Sequence, residues 1–270
     1  VCSIDIECSI QGGFPDMEKA ENEITLITIG RNGNKTTFGC GEYKEHQPNV
    51  KYYRCADERA LLESFLEVWN GSLYSPDVVT GWNIEHFDVP YLVGRIRKVL
   101  GESAAERLSP WGILRERELE FRNKRVKVYE PVGIAVLDYL ALYKKFTYTT
   151  RESYRLDYIA EVELGENKLD YSEYENLDDL RFKNFQLYTE YNIHDVVLVE
   201  KLEDKLKLIE LVYAMAYDAK VNYEDVFFQV RMWDTIIYNY LKKRNIVIPP
   251  KEKSDKDSKY AGAYVKEPIP

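Results

Sequence analysis

The sequence has few of the residues that build zinc sites, and it has no long apolar run. It contains three histidines, and its four cysteines (Cys2, Cys8, Cys40 and Cys55) include no C-x-x-C pair, so we expect no zinc site. No segment approaches the roughly 18 consecutive apolar residues that a transmembrane helix needs. We therefore predict no membrane partner, and we interpret the cysteines as the reduced thiols of a cytosolic protein.

Basic residues are also too few for one class of nucleic-acid-binding protein. The 270 residues include 37 Lys and Arg against 46 Asp and Glu, which gives a formal net charge of −9. This balance excludes a protein that wraps duplex DNA mainly by neutralising phosphates. A nucleic-acid partner would need a local site instead.

The sequence also lacks an initiator methionine and a signal peptide, because Val1 opens directly into an apolar run. We therefore interpret the chain as a piece of a longer protein. It is nevertheless long enough to bury its own core without disulfides or a structural metal.

Alternating apolar and polar residues predict strands in the first part of the chain. The runs at 1–8, 23–30 and 35–40, with the turn Asn32-Gly33-Asn34 between the last two, predict an antiparallel meander. Asp57 is a predicted N-cap for a helix, because apolar residues recur at helical spacing from Leu61 to Trp69. A short buried strand is predicted at 78–82.

Helical patterns dominate the second part of the chain. Predicted helices cover 91–100, 139–145, 156–163, about 182–218 and 223–244, with strands at 125–128 and 133–137 and a mobile surface loop at 251–259. Early strands followed by mainly helical segments predict an α/β fold, in which a mixed sheet is flanked by helices.

Four carboxylates and one phenol stand out against these elements. Asp5 and Glu7 are two residues apart on a strand and therefore share one face, although an edge strand could carry both charges merely for solubility. Asp88 lies in the polar loop after strand 78–82, where it could instead be a helix N-cap. Tyr191 and Asp195 have the i, i+4 spacing that places both on one helix face, although surface Tyr–Asp pairs are common.

The order Asp5-x-Glu7, Asp88 and Asp195, with Tyr191 four residues before the last acid, resembles the three exonuclease motifs of the DEDDy nucleases. The phrase at 81–91, Gly-Trp-Asn-Ile-Glu-His-Phe-Asp-Val-Pro-Tyr, resembles the second exonuclease motif of B-family DNA polymerases. The chain is most similar to replicative polymerases of T-even-like tailed phages. Further similar phrases are Asp138-Tyr139, Lys144-Lys145-Phe146, 156–169 and 260–268, so the resemblance covers essentially the whole chain.

This resemblance implies a ribonuclease H-like exonuclease fold over residues 1–212. It also implies that the helical and loop segment 213–270 leads into a polymerase palm domain that this chain lacks. The cofactors implied are two divalent metal ions, Mg²⁺ or Mn²⁺, because clustered carboxylates hold hard cations for phosphodiester cleavage.

The resemblance also implies a role for each acid. Asp5 would bridge both ions, and Glu7 and Asp195 would help to hold the ion that binds the attacking water. Asp88 would support the second ion through water. Tyr191 would orient the attacking water, since a phenol is not a base at neutral pH.

Further residues match family positions near the DNA. Lys168 matches a lysine near the scissile phosphate, although a loop lysine can simply be solvated. Asn83 and Phe87 match positions that meet the 3′-terminal nucleotides, where an aromatic ring can stack on a base, although Phe87 could equally be a core residue. Tyr260 and Gly262 match a Tyr-x-Gly element near the template strand.

The function implied is 3′–5′ proofreading of DNA during replication, in the cytoplasm of a phage-infected bacterium. The implied partners are a single-stranded or frayed 3′ end of primer-template DNA and the remaining polymerase domains. The polymerase motifs of the family are absent from this chain, so we do not expect it to extend a primer alone. Two alternatives stay open: a free-standing DEDD exonuclease, and a catalytically silent docking module of a split polymerase.

Overall fold

The computed structural model describes residues 1–72, 74–121 and 124–248. The loop predicted at 251–259 and the DNA contacts predicted at Tyr260 and Gly262 lie outside the described residues.

The predicted meander is confirmed. Strand β1 (Cys2–Cys8) pairs antiparallel with β2 (Ile24–Arg31), which pairs antiparallel with β3 (Asn34–Gly39). Asn32 and Gly33 link β2 to β3 with φ angles of 51° and 79°, the left-handed conformation that a tight hairpin requires at both central positions.

The sheet extends on both sides of this meander. The other strands are β4 (Val50–Arg54), β5 (Val78–Gly81), β6 (Leu114–Phe121), β7 (Lys124–Pro131) and β8 (Ala135–Asp138). Among the described residues, six strands form one sheet in the order β4-β3-β2-β1-β5-β8, and β6 and β7 form a separate antiparallel hairpin. Because β3–β4, β1–β5 and β5–β8 pair in parallel, the predicted mixed sheet is confirmed. The alternative of an edge strand is wrong for β1, which lies between β2 and β5.

Helices flank the sheet. They are α1 (Glu58–Trp69), α2 (Asp88–Leu100), α3 (Glu102–Glu106), α4 (Tyr139–Phe146), α5 (Leu156–Leu164), α6 (Leu177–Lys183), α7 (Phe185–Leu206), α8 (Leu208–Ala219) and α9 (Gln229–Lys242). The predicted N-cap of α1 is confirmed, since the Asp57 carboxylate accepts a hydrogen bond from the Ala60 amide at 2.8 Å.

The prediction of one helix over 182–218 is wrong. Three helices cover this region, because the Asn184 side chain caps α7 by accepting from the Leu187 amide, and Lys207 adopts a left-handed φ of 55° between α7 and α8. The helix predicted at 223–244 instead begins as a 3₁₀ turn, Tyr223–Phe227, before α9.

The buried apolar side chains form two main clusters. One packs α1 and α2 against the sheet and includes Ile4, Phe65 and Ile96. The other joins α4, α5, α7 and α8. Because α7 packs against β1 and β2, its polar residues lie over the centre of the sheet. None of the helices that the structure describes combines the length and the apolar composition of a membrane-spanning segment.

Candidate active site

Three of the four predicted acids converge. Asp5 and Glu7 project from β1, and Asp195 projects from α7, which crosses the sheet at this point. One carboxylate oxygen from each lies within 4.8 Å of the others. A group of oxygen donors this close is suited to a hard divalent cation.

Asp88 lies beside this group rather than within it. It is the first residue of α2, and Phe87 occupies the N-cap position, so the alternative of Asp88 as the N-cap is wrong. The Asp88 side chain is buried, and its Oδ1 accepts a hydrogen bond from the Ile6 amide at 3.0 Å. That hydrogen bond links the first residue of α2 to Ile6 of β1, which lies between Asp5 and Glu7.

The electrostatics of the cluster reflect burial and like charge. Burial, together with the negative charges of Asp88, Asp195 and Glu7, raises the pKa of Asp5 well above its usual value. Burial likewise raises the pKa of Glu7 to about 8. For Asp88, burial outweighs the hydrogen bond from the Ile6 amide and raises the pKa to about 7. Burial also raises the pKa of Asp195, although Lys168 opposes the shift.

Lys168 and Tyr191 complete the cluster. The Lys168 ammonium forms an ion pair with Asp195 Oδ2 and donates to Tyr191 Oη at 3.1 Å. Burial lowers the pKa of Lys168, but Asp195, Tyr191 and Asp5 together more than offset that effect, so the pKa is raised overall. The alternative of a merely solvated lysine is therefore wrong, and the alternative of a surface Tyr–Asp pair is wrong as well.

The donor set fits a divalent cation. Asp195 Oδ1 is buried and has no hydrogen-bond partner among the residues that the structure describes, and such an orphaned acceptor is costly unless a cation or a donor satisfies it. The neighbouring donors are carboxylate oxygens, which Mg²⁺ and Mn²⁺ prefer over softer ligands.

A cleft of about 1260 Å³ opens beside the cluster. Its wall includes Asp5, Asp195 and the predicted residues Asn83, Phe87, Lys168 and Tyr191. Aromatic side chains and cations also line it, namely Phe14, Trp82, Tyr154, Tyr171, Lys144 and Arg155. Three further acids, Asp157, Glu161 and Asp170, also line the cleft, so its likeness to single-stranded nucleic-acid channels lies in its aromatic rings and the cations beside them.

Phe87 packs against the core and also lines the cleft. Its ring stacks on Tyr91 with centroids 5.9 Å apart.

Asp138 supports the loop that carries Asn83 and Phe87. Its carboxylate accepts hydrogen bonds from the Asn83 amide at 3.2 Å and the Glu85 amide at 3.0 Å, and it also caps α4 through the Ala141 amide. Asn83 itself has a left-handed φ of 67°. The loop is therefore anchored through its backbone.

Sequence reasoning missed Phe14 and Asn192. Phe14 is 81% exposed at the cleft, 6.3 Å from the Phe87 ring, and an aromatic residue between Gly-Gly and Pro was the available signal. Asn192 is buried and donates from Nδ2 to Asp5 Oδ2 at 2.6 Å. Its position next to Tyr191 gave no indication of that contact.

A mixed sheet flanked by helices, with an acidic candidate metal site beside an aromatic cleft, defines the class, an α/β domain consistent with a ribonuclease H-like fold. Residues 1–159 match the family described as "DNA polymerase family B, exonuclease domain". The chain belongs to this family.

Its relatives include viral polymerases. Over its whole length the chain is 43% identical to the "DNA-directed DNA polymerase" of Escherichia phage RB69, and the match covers 32% of that protein. Over 82% of its length the chain is 37% identical to the "DNA-directed DNA polymerase" of Enterobacteria phage T4, and the match covers 24% of that protein. It is also 29% identical to the "DNA polymerase catalytic subunit" of Elephantid herpesvirus 1, over 98% of this chain and 26% of that protein. The chain thus spans about a third of the RB69 polymerase.

Proposed function

We propose that this chain is the 3′–5′ proofreading exonuclease portion of a B-family DNA-directed DNA polymerase. The reaction is hydrolysis of the 3′-terminal phosphodiester of DNA, which releases deoxynucleoside monophosphates. The observation that carries the proposal is the convergence of Asp5, Glu7 and Asp195 beside the cleft.

The proposed cofactors are two divalent ions, Mg²⁺ or Mn²⁺, which supply an activated water and stabilise the leaving oxygen when bound. In this proposal Asp5 would be a ligand of both ions, and Glu7 and Asp195 would help to hold the ion that supplies the attacking water. Asp88 would act through water, in keeping with the hydrogen bond that it accepts from the Ile6 amide.

Tyr191 and Lys168 are proposed to act on the reacting groups. The Tyr191 phenol keeps its proton, because burial raises its pKa further above neutrality, so it can position the attacking water as a hydrogen-bonding group rather than act as a base. Lys168 lies against Tyr191 and Asp195, where its ammonium can meet the negative charge of a scissile phosphate.

The proposed partner is the single-stranded or frayed 3′ end of primer-template DNA. Asn83, Phe87 and Phe14 line the cleft and would contact the terminal nucleotides, with the rings stacking on bases regardless of sequence. Selectivity would come from fraying, since a mismatched end costs less to unstack. Tyr260 and Gly262 are proposed to lie near the template strand.

Residues 1–212 are the proposed exonuclease domain, and 213–270 lead toward the palm of the polymerase. Ala216 and Val226 of the extension pack into the same apolar cluster as α4 and α5, so the start of the extension would stay attached to the domain. The remaining polymerase domains are the proposed protein partner. By analogy with the phage relatives, the proposed location is the cytoplasm of an infected bacterium.

A 5′-labelled single-stranded oligonucleotide with Mg²⁺ tests this function. We expect the wild-type chain to produce a ladder that shortens from the 3′ end, and Asp5→Ala/Glu7→Ala to produce none. The matched control is Glu63→Ala/Glu67→Ala, which removes two exposed carboxylates from α1 and should leave the ladder unchanged. Folding of each variant is checked by circular dichroism.

The alternatives give different results. A folded wild-type chain that shortens neither the oligonucleotide nor a mismatched primer-template would contradict the proposal and favour the docking module. Shortening from the 5′ end would contradict the proposed direction.

A further inference from the structure

A row of polar side chains crosses the sheet beneath the acidic cluster. Asp5 of β1 is directly opposite Thr28 of β2, and Thr28 is directly opposite Thr37 of β3. Asn192 of α7 lies over this row. Thr28, Thr37 and Asn192 all have 0% exposure, so each of their polar atoms needs a partner within the protein.

These side chains form one continuous hydrogen-bonded series. Asn192 Nδ2 donates to Asp5 Oδ2 at 2.6 Å, Thr28 Oγ1 donates to Asn192 Oδ1 at 2.5 Å, and the hydroxyls of Thr28 and Thr37 are 2.8 Å apart. The series spans 187 residues of sequence between Asp5 and Asn192.

The Asp5 carboxylate, at one end of the series, determines which group donates and which accepts in every hydrogen bond of the series. A carboxylate that holds a metal ion is ionised and only accepts hydrogen bonds, so in the proposed metal-bound site Asn192 must turn its amide nitrogen toward Asp5 and its carbonyl oxygen toward Thr28. Thr28 must then donate to Asn192, which leaves its oxygen to accept from Thr37. A flipped Asn192 would set its carbonyl oxygen against the Asp5 carboxylate and a donor against the Thr28 donor.

The geometry points to Asn192 as a positioning residue that fixes the orientation of Asp5, with Thr28 and Thr37 fixing the orientation of Asn192 in turn. The inference rests on the proposed function, in which Asp5 is the shared metal ligand. With Oδ2 held by Asn192, the Asp5 carboxylate has one defined rotation. Residues that hydrogen-bond to metal ligands in this way commonly affect metal affinity or activity by about 10–100-fold when they are changed.

The test measures Mn²⁺ affinity by titration calorimetry in the chain without DNA. We expect Asn192→Leu, which keeps the size but not the donor, to weaken Mn²⁺ binding about 10-fold or more. Thr28→Val should weaken it to a smaller extent, and Thr28→Ser, which keeps the hydroxyl, should restore it. The matched control is Thr80→Val, which removes another buried hydroxyl of the sheet, one that donates to the Leu137 carbonyl.

Kinetics and unfolding separate positioning from a general loss of structure. The kcat for nucleotide release should fall in Asn192→Leu and Thr28→Val, and the KM for the oligonucleotide should stay unchanged, because the cleft rings are untouched. Thermal unfolding should report similar destabilisation for Thr28→Val and Thr80→Val. If Asn192→Leu does not fold, the comparison of Thr28→Val, Thr28→Ser and Thr80→Val decides the question.

Three outcomes would overturn the inference. They are unchanged Mn²⁺ affinity in folded Thr28→Val, an equal loss of affinity in Thr80→Val, and failure of Thr28→Ser to restore binding. If the wild-type chain binds Mn²⁺ and shortens DNA, these outcomes reject the positioning role alone. A folded wild-type chain that binds no Mn²⁺ would reject the proposed function and this inference together.

Discussion

At the scale of one residue, Glu7 illustrates that the acidic cluster lowers the stability of the folded chain while it provides ligands for a candidate metal site. Burial raises its pKa from 4.5 to about 8, so the folded chain resists ionising it. We predict that Glu7→Gln abolishes nucleotide release but stabilises the metal-free chain at about pH 8.5 by up to ~5 kcal/mol, since a pKa raised by one corresponds to about 1.4 kcal/mol. Thermal unfolding in EDTA measures the effect.

The raised pKa of Glu7 also determines how the stabilisation by Glu7→Gln depends on pH. Below pH 4.5 the carboxyl is protonated in both the folded and the unfolded chain, so the gain should vanish there and grow as the pH rises toward 8. Glu63→Gln, on the exposed face of α1, should change the melting temperature little at any pH. A Glu7→Gln variant that melts below the wild type at pH 8.5 would contradict the prediction.

Phe14 allows a second test at the residue scale. Its ring is 81% exposed at the cleft, where stacking on one base is worth about 1–3 kcal/mol. We predict that Phe14→Ala raises the KM for a single-stranded oligonucleotide by about 5–100-fold, with little change in folding stability. Steady-state kinetics on oligonucleotides of equal length measure this change.

The control for Phe14 is another exposed phenylalanine. Phe182 on α6 is 65% exposed and does not line the cleft, so Phe182→Ala should leave the KM unchanged. Equal effects of the two substitutions would show that the loss is not caused by stacking in the cleft.

The residues of the site differ in how far sequence could predict them. Asp5, Glu7 and Asp195 could be identified because their spacing resembles known motifs, and the structure brings them together. Asn192 could not be assigned, because its contact with Asp5 depends on how α7 crosses the sheet. Phe14 belongs to a loop whose approach to the cleft no local pattern specifies.

At the scale of the elements, the loop between β5 and α2 depends on one carboxylate. Asp138 anchors this loop through the amides of Asn83 and Glu85 and also caps α4. We predict that Asp138→Ala destabilises the chain by about 1–3 kcal/mol and also lowers kcat/KM, because the loop that carries Asn83 and Phe87 loses the hydrogen bonds from two of its amides. Thermal unfolding and oligonucleotide kinetics measure the two effects.

Asp57→Ala is the matched control for this loop. Asp57 caps α1 through the Ala60 amide and does not line the cleft, so its loss should cost about 1 kcal/mol without lowering kcat/KM. A variant of Asp138 with full activity, or an equal loss of activity in Asp57→Ala, would refute the role of the anchor.

The strands and the helix break that sequence did not predict each lack a usual local signal, for different physical reasons. The strand β6 has the sequence L-R-E-R-E-L-E-F, in which charged residues of low β-propensity hide the strand. The short strand β4 pairs at the edge of the sheet, where little burial marks its pattern. The break between α7 and α8 falls at Lys207, which adopts a left-handed backbone conformation. Glycine is the usual residue in that conformation at a helix end, so a lysine there gives no sequence signal.

At the scale of the whole molecule, the site exists only when the fold is complete. Its residues come from β1, from the start of α2, from the loop before α6 and from α7. Local periodicity predicted most of these elements, yet only their packing brings the carboxylates within 4.8 Å of one another. Folding therefore brings groups of like charge together in a buried site. Metal binding at this site and the stability of the folded chain must then be linked.

That linkage predicts how stability depends on pH and Mg²⁺. Burial raises the pKa of Glu7 from 4.5 to about 8 and that of Asp88 from 3.8 to about 7. The folded chain therefore holds more protons than the unfolded chain between about pH 4 and pH 8. The contribution of Glu7 and Asp88 to the stability of the folded chain is fully present below the pKa values that they have in the unfolded chain. It is lost as the pH rises through the pKa values that they have in the folded chain. A cation competes with those protons, so Mg²⁺ should stabilise the folded chain more strongly at high pH.

We predict that saturating Mg²⁺ raises the melting temperature more at about pH 8.5 than at about pH 6, relative to EDTA at each pH. Differential scanning calorimetry measures both differences. Asp5→Ala/Glu7→Ala should melt at the same temperature with and without Mg²⁺, because it lacks two of the three converging carboxylates. The double variant Glu63→Ala/Glu67→Ala should respond as the wild type does. An Mg²⁺ effect that is equal at the two pH values, or that persists without Asp5 and Glu7, would place the cation away from the cluster.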